Sequence, residues 1–537
     1  MKMPYLSDDD PLLAAFPYVN GGLFDGDDIE IPPFTDDILD LLLTRASDDF
    51  DWSGISPTIF GAVFESTLNP ETRRSGGMHY TSIENIHKVI DPLFLDDLKE
   101  ELEEIRKIDV FKTKKKKLEA FQDKLASLSF LDPADGSGNF LTESYTSLRK
   151  LENEALRILS GGQITLGAAI NPVKVSIGQF SGIEINDFAV TVARTALWIA
   201  ENQMLKETED IVRMDLDFLP LTTAANIVEG NALRMDWEDV IPKDKLNYIM
   251  GNPPFNGNAR LTNEQKEDRE QCFEWHAGDL DYVACWYKKA ADYIKNYPIR
   301  CAFVSTNSIC QGQQVPPLWG SLLESGIIIN FAYKTFVWNS EASVKANVHC
   351  VIIGFSKQPI KPALIFEEDG RILSVSHINA YLVDAPDVLI EKRKKAISDV
   401  PIVIKGLQPT DDGNLILSDD EKQELLKADP KAEKWIRPFI SAREYINGIS
   451  RWCLWLHGMS PSELNKHPLI RKRVSDCYEW RKAQKETGDA YKLRNQPMYM
   501  RKNTRFKEES FIVMPSASSI RRRYIPFGYA EAGCIVG

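Results

Sequence analysis

The sequence predicts an α/β protein built on a doubly wound, Rossmann-like sheet. Three observations point there. Ser129–Leu141, SFLDPADGSGNFL, reads as a short apolar strand ending at Asp132, a turn at Gly136-Ser137-Gly138 and the start of a helix, the opening unit of a nucleotide-binding sheet. Four strand-like stretches in succession end in polar groups, Asp132, Glu184, Asn231 and Asn252, and ligands of open α/β sheets sit at the carboxyl ends of strands. Between the first two of these stretches, and again after the second, lie segments with helical periodicity.

At 537 residues the chain exceeds one typical core, and two to four domains are expected. Residues 1–70 read as an acidic helical connector, with a helix over Thr35–Ala46 capped by Thr35 or Asp36, another over Pro57–Ser66, and a turn at Gly21-Gly22. Residues 71–357 hold the α/β domain. There Gly76-Gly77 forms a turn, and Thr81 with Glu84 has the spacing of a capping box for a helix carrying Ile83, Ile86, Val89 and Ile90. A charged helix or helix pair fills Asp96–Ser127. After the strand ending at Asp132 come a helix over Leu141–Leu151, a strand over Ile177–Ile183 and a helix over Asp187–Ala200. Further strands are expected at Asn226–Glu229, Leu246–Met250, Arg300–Thr306, Ile327–Tyr333 and Val348–Ser356, the last two as a closing antiparallel pair with the polar loop Val337–Asn347 between them. Residues 358–537 read as a mixed α+β domain with a helix near Asp419–Lys427; the sequence stops in what reads as mid-strand, so this domain is expected to be incomplete.

No apolar run approaches the roughly 18 residues needed to span a bilayer, and the acidic N-terminus lacks a signal-peptide layout. The eight cysteines are scattered without a Cys-x-x-Cys pair, which favours reduced core residues in the cytoplasm over disulfides or a metal site. The net charge of −14 conceals an asymmetry. Residues 431–537 hold 21 basic and 10 acidic side chains, +11, and the remainder carries −25. A basic end with interleaved aromatics such as Trp435, Tyr445, Trp480 and Tyr524 suits a polyanion, phosphates meeting Arg and Lys while bases or sugars meet the rings.

The stretch Leu246–Gly257 concentrates the chemistry. A strand leads through Gly251, read as a turn, into Asn252-Pro253-Pro254-Phe255. The two prolines fix φ and remove two backbone donors, leaving an amide side chain, bare carbonyls and a ring at a strand end. Such a loop suits a planar amino group, held edge-on by acceptors and face-on by the ring; by itself it does not separate an adenine from a glutamine side chain. The first loop lacks the Gly-x-Gly-x-x-Gly spacing that seats a pyrophosphate, so a nucleoside-type ligand is favoured there, with Glu184 placed to grip a ribose diol.

Taken in order, GMHYT (77–81), DPADGSGNF (132–140), IEIN (183–186), EGNAL (229–233) and GNPPF (251–255) resemble motifs X, I, II, III and IV of amino-type, γ-order DNA methyltransferases. YVNGGLF (18–24), DWSGISPTIFGAVFES (51–66), RPFISAREYINGISRWCLWL (437–456) and SIRRRYIPFGY (519–529) resemble the MmeI-type restriction–modification methyltransferases with a fused target-recognition domain. The resemblance covers nearly the whole chain. It implies a class I S-adenosylmethionine-dependent methyltransferase core, double-stranded DNA as partner, and transfer to adenine N6 through base flipping. It implies that Tyr80 and Thr81 close over the methionine end of the cofactor. Asp132, Pro133, Ala134, Gly136, Gly138, Asn139 and Phe140 would cradle its amino-acid part, Glu184 and Ile185 its ribose, and Asn231 with Ala232 its adenine. Asn252, Pro253, Pro254 and Phe255 would hold the target base, with Asn252 also bordering the cofactor. Arg443, Arg471, Arg473, Arg501, Arg521, Arg522 and Arg523 would meet DNA. Three departures stand out: Asp135 where the family commonly has Cys, Asn231 where it usually has an acid, and Phe255 where many members have Tyr.

Rivals from other classes are cytosine N4 methylation, methylation of a protein glutamine amide and a non-catalytic specificity subunit. No Pro-Cys dipeptide occurs, leaving cytosine C5 chemistry without an evident nucleophile. No convincing nuclease signature precedes residue 70, so no cleavage is expected from this chain, and a nuclease or specificity module would reside on a longer or separate one.

Overall fold

The structure, a computed structural model, describes residues 34–45, 56–57, 81–160, 172–213, 216, 224–274, 277–338, 348–393, 395–501, 508–519 and 522–537. The expected helix over Pro57–Ser66, both Gly-Gly turns, most of the 337–347 loop, Tyr80 and Arg521 lie outside them. Within 34–45, α1 (Asp36–Leu43) is capped by the Thr35 hydroxyl, which accepts from the Ile38 N–H at 3.3 Å; its Ile38, Leu39, Leu42 and Leu43 are exposed.

The chain divides into two compact units at Lys392/Arg393. In the first, α2 (Ile83–Ile90), a π-helical turn (Asp91–Leu95), α3 (Asp96–Arg106) and α4 (Phe111–Ser127) precede β1 (Phe130–Asp132) and α5 (Asn139–Ser160). Then follow β2 (Phe180–Glu184), α6 (Asp187–Val212), β3 (Asn226–Glu229), β4 (Tyr248–Gly251), α7 (Asn263–Phe273) and α8 (Ala284–Tyr293). The unit continues through β5 (Arg300–Thr306), α9 (Val315–Glu324), β6 (Ile328–Trp338), β7 (Val348–Ser356), β8 (Ala363–Phe366) and β9 (Ile372–Val375).

These strands form one sheet in the order β3-β2-β1-β4-β5-β7-β6-β8-β9. The first five are parallel, and β7 is antiparallel to both β5 and β6. The chain winds outward from β1 to β3, then returns to β4 on the other side of β1. That reversal makes a crevice between the ends of β1 and β4, where doubly wound sheets bind ligands. Both faces are covered, as a parallel sheet requires. Leu131, Ile249, Phe303 and Ile353 face one core with α8 and α9; Phe130, Met250, Val304 and Ile352 face the other with α2 to α6.

Several sequence expectations shift. Residues 177–179 form a capped 3₁₀ turn, with Ser176 and Gln179 in reciprocal hydrogen bonds, so the second strand starts at Phe180. Gly251 is the last residue of β4 rather than a turn. The helices after β1 and β2 run on to Ser160 and Val212, and the extended parts are joined by the buried side chains of Asn153 and Thr208, hydrogen-bonded at 2.7 Å. The capping box expected at Thr81 and Glu84 does not form: α2 starts after Ser82 with no side-chain cap. A boundary after residue 357 would cut off β8 and β9, but β8 pairs with β6 and β9 with β8.

In the second unit, β10 (Ile416–Leu417), β11 (Ile436–Ile440), β12 (Trp452–Leu454) and β15 (Ile535–Val536) form a sheet in the order β10-β12-β11-β15, and β13 (Phe511–Val513) pairs with β14 (Gly528–Ala530). The helices are α10 (Asp419–Ala428), α11 (Ala442–Asn447), α12 (Pro461–Leu464), α13 (Pro468–Lys482) and α14 (Asp489–Lys492). All eight cysteines are free and seven are buried. Among the described residues no helix is long and apolar enough to cross a membrane.

Candidate active site

The crevice between β1 and β4 is lined by side chains that the two strands push together. Gly251 pairs closely enough with β1 that a Cβ there would lie 2.4 Å from Asp132 Oδ1, so only glycine admits the Asp132 carboxyl beside it. Asp132 is fully buried. Its Oδ1 accepts from the Ala134 N–H at 2.9 Å, while Oδ2 has no partner. Burial and the neighbouring Glu184 charge push its carboxyl up to about 8, against the pull of the Ala134 N–H.

The loop after β1 turns through Gly136 at φ +58° and Gly138 at φ +80°, conformations that favour glycine. A Cβ on Gly138 would also strike Ala193 of α6 at 2.9 Å. The Gly136 N–H donates to Glu184 Oε2 at 2.9 Å and the Asn186 N–H to Glu184 Oε1 at 3.0 Å. Burial still raises the Glu184 carboxyl above its ordinary range. The Pro133 carbonyl accepts from Trp286 Nε1 at 2.9 Å, fixing the loop from α8. Asn139 is buried, its Nδ2 on Ser137 Oγ at 3.2 Å and its Oδ1 without a partner. Phe140 and Ala232 belong to the cores, whereas Ile185, at the mouth of β2, is 61% exposed.

Asp135 is the oddity of this loop. Its carboxyl lies against Gly182 of β2, where a Cβ would come within 2.7 Å of Oδ2. Both oxygens are buried without partners. Burial, then the Asp132 and Glu184 charges, raise its affinity for a proton far above the ordinary carboxyl range.

At β4, Asn252 Nδ2 donates to Thr81 Oγ1 at 3.2 Å. This bond explains the missing capping box, since the Thr81 hydroxyl faces the loop rather than its own helix. Asn252 Oδ1 is buried and unpartnered. Pro253 is buried and Pro254 half-buried. The Phe255 ring, just beyond the carboxyl end of β4, is half-buried and packs against both cores. The motif X and motif IV segments, 171 residues apart, thus meet directly.

Asn231 does not present a free amide. Its Oδ1 accepts from the Leu233 N–H at 2.9 Å and its Nδ2 donates to Asp268 of α7 at 3.1 Å. Asp268, buried, also accepts from Arg234 Nε and Tyr282 OH, both at 2.6 Å, so an acid stands beside this position but comes from another element. Sequence reading missed Asp268, Arg269, Asp281 and His87. Apart from the i,i+4 pair of His87 with Asp91, their partners lie 11 to 56 residues away, where no spacing rule operates.

Of the arginines singled out in the second unit, Arg443, Arg471, Arg522 and Arg523 are exposed. Arg501 is exposed but pairs with Asp489 at 2.6 Å. Arg473 is anchored within the unit, paired with Glu421 and donating to the carbonyls of Gly413, Asn414 and Ile416. Trp452 and Trp455 are partly buried against the core.

Residues 108–367 match the MmeI DNA-methyltransferase domain, and residues 384–537 the MmeI target recognition domain. "DNA methyltransferase A" of Bacillus subtilis (strain 168) is 38% identical over 529 residues, 98% of this chain and 59% of that protein. A type II restriction enzyme and methyltransferase of Methanocaldococcus jannaschii, itself described as putative, is 26% identical over 279 residues, 45% of this chain and 23% of that one. The chain therefore spans about three fifths and one quarter of the lengths of these curated relatives. The solved structure of the type IIL restriction–modification enzyme MmeI in complex with DNA superposes with a TM-score of 0.88 at 41% identity, over 99% of this chain and 71% of that one. The chain belongs to the MmeI family and carries that family's DNA-methyltransferase and target recognition domains.

Proposed function

We propose that this chain is a restriction–modification DNA methyltransferase that moves a methyl group from S-adenosylmethionine to N6 of an adenine flipped out of duplex DNA. The observation that carries the reading is Asn252: its Nδ2 is tied to Thr81, which leaves a buried, unpartnered Oδ1 at the mouth of the β1/β4 crevice. A buried acceptor without a donor costs about 1–3 kcal/mol, so a donor is expected to arrive with the substrate. An exocyclic amino group supplies two.

The residues of the neighbouring loop fit the cofactor. Asp132 Oδ2 and Asn139 Oδ1 are buried acceptors without donors, suited to a cationic α-amino group. Glu184 accepts one backbone N–H per oxygen, leaving lone pairs for ribose hydroxyls, and exposed Ile185 offers an apolar edge. Bound there, S-adenosylmethionine would supply an electrophilic methyl group. The chain's own contribution is placement. Asn252 Oδ1 and the Pro253 carbonyl accept the two amino hydrogens and favour a pyramidal, more nucleophilic nitrogen, while Phe255 stacks on the base and excludes water. The +11 region with exposed Arg443, Arg471, Arg522 and Arg523 would meet the phosphates.

The test is transfer of labelled methyl from S-adenosylmethionine to plasmid DNA, with long-read mapping of the modified base. Label on adenine N6 at a fixed sequence is expected. Label on cytosine N4, or only on protein, would overturn the assignment. Asn252→Ala is expected to lower the transfer rate by about 10²–10³-fold, the scale of losing a transition-state partner, with cofactor affinity within twofold by calorimetry. Retained activity would mean that the amide is not the acceptor.

A further inference from the structure

Resting on that reading, we infer that Asp281 is a positioning residue that sets the exit of the Asn252–Phe255 segment. The start of this segment is fixed by β4 and by Thr81. Its far end needs an independent anchor, because Gly257 allows the backbone to pivot there. Asp281, in the turn between α7 and α8, is 8% exposed and supplies it. Its Oδ1 accepts from the Asn258 N–H at 3.0 Å, and its Oδ2 from the Ser308 hydroxyl at 2.6 Å. Ser308 lies in the 3₁₀ turn Asn307–Cys310 that follows β5, the strand next to β4, so one carboxylate ties the loop exit to the end of the strand beside the loop start. The Asp281 N–H is itself held by Gln314 Oε1 at 3.1 Å.

Two neighbours complete the grip. The Tyr282 N–H donates to the Asn256 carbonyl at 2.9 Å. Arg269, buried on α7, donates from one Nη to the Asn258 side-chain oxygen at 2.6 Å and to the Leu280 carbonyl at 2.9 Å. Residues 256 and 258 are therefore held from α7, from the 281–282 turn and, through Ser308, from β5. Between the two clamps the buried Oδ1 of Asn252 is left without a donor and the Phe255 ring half-buried. A reacting nitrogen needs its partners held to a fraction of an ångström, and a loop fixed at one end only does not provide that.

The test uses the full chain. Asp281→Ala is expected to lower kcat for methyl transfer to plasmid DNA about 100-fold, with KM for DNA and cofactor Kd within twofold. Asp281→Asn is expected to recover to within about fivefold, because its oxygen still accepts from Asn258 and Ser308 can accept from its amide. By hydrogen exchange, the amides of residues 255–258 should lose protection in Asp281→Ala while those of β4 keep theirs. Wild-type kcat or unchanged exchange in Asp281→Ala would overturn the inference, as would parallel losses in kcat, cofactor affinity and melting temperature. If Asp281→Ala does not fold, Ser308→Ala reads the same anchor: a severalfold fall in kcat with faster exchange at 255–258 is expected, and no change overturns it. A wild-type chain that labels no DNA would sink the functional reading instead, and the exchange comparison still decides the positioning role.

Discussion

Asp135 shows how one side chain can work against the fold that holds it. A cysteine there, the residue that the motif resemblance makes common, would bring no carboxyl oxygens beside Gly182, whereas Asp135 has two buried oxygens without donors. Replacing it by Cys should raise the unfolding free energy by about 1–3 kcal/mol, the cost of an unsatisfied buried polar group, measured by denaturant unfolding. Its pH signature has a definite sign. Asp132 and Asp135 hold protons more tightly folded than unfolded, so their contribution is full below the unfolded value near 4 and is lost as pH rises, for Asp132 through about 8. Melting temperature should therefore fall toward alkaline pH, and less steeply in Asp135→Cys; an unchanged slope would mean that Asp135 is ionised in the fold. The motif residues around it were legible because glycines and strand-end acids carry local signals. Asp135 was legible only as a departure, since its strain depends on Gly182, nearly fifty residues away.

At the scale of elements, His87 ties the helix after Thr81 to the helix that follows the Gly136–Gly138 loop. From α2 it meets Asp91, the first residue of the π-helical turn, at 2.9 Å and Glu143 of α5 at 3.2 Å. The hydrogen bond with Asp91, then that with Glu143, raise the imidazole to about 9, against desolvation. A raised histidine stabilises fully below its unfolded value of about 6.5 and ceases to as pH passes through about 9. His87→Ala should thus cost about 1 kcal/mol at pH 6, after discounting for solvent screening, and close to nothing at pH 10; a constant penalty would point to packing instead. In the second unit, Arg481 is fully buried and all five of its N–H groups reach backbone carbonyls, those of Pro409, Thr410, Leu493, Gln496 and Tyr499. An ammonium cannot reproduce that fork, so Arg481→Lys should destabilise this unit by about 3–5 kcal/mol in thermal unfolding. Charge counting along the sequence could not tell this arginine from Arg522 or Arg523.

For the whole molecule, the charge split leads to a prediction in solution. Replacing Arg522 and Arg523 with Ala should weaken duplex binding and lower the slope of log affinity against log salt by about 0.9 for each phosphate no longer neutralised, leaving melting temperature and cofactor affinity unchanged. An unaltered slope would mean that other side chains meet the phosphates. By itself the sequence determined the α/β class, the order of strand ends Asp132, Glu184 and Asn252, the glycine turn between β1 and α5, and the basic end. Each of these is written in local periodicity, in glycine and proline chemistry, or in composition. Only the tertiary structure decided that Thr81 holds Asn252 rather than capping its own helix, that Asn231 is tied to Asp268, that Arg473 and Arg481 hold the second unit together internally, and that Asp281 fastens the chain just beyond Asn252–Phe255. Those outcomes depend on which strands the winding order makes neighbours. A hydrogen bond between residues far apart in the chain leaves no periodicity in either segment.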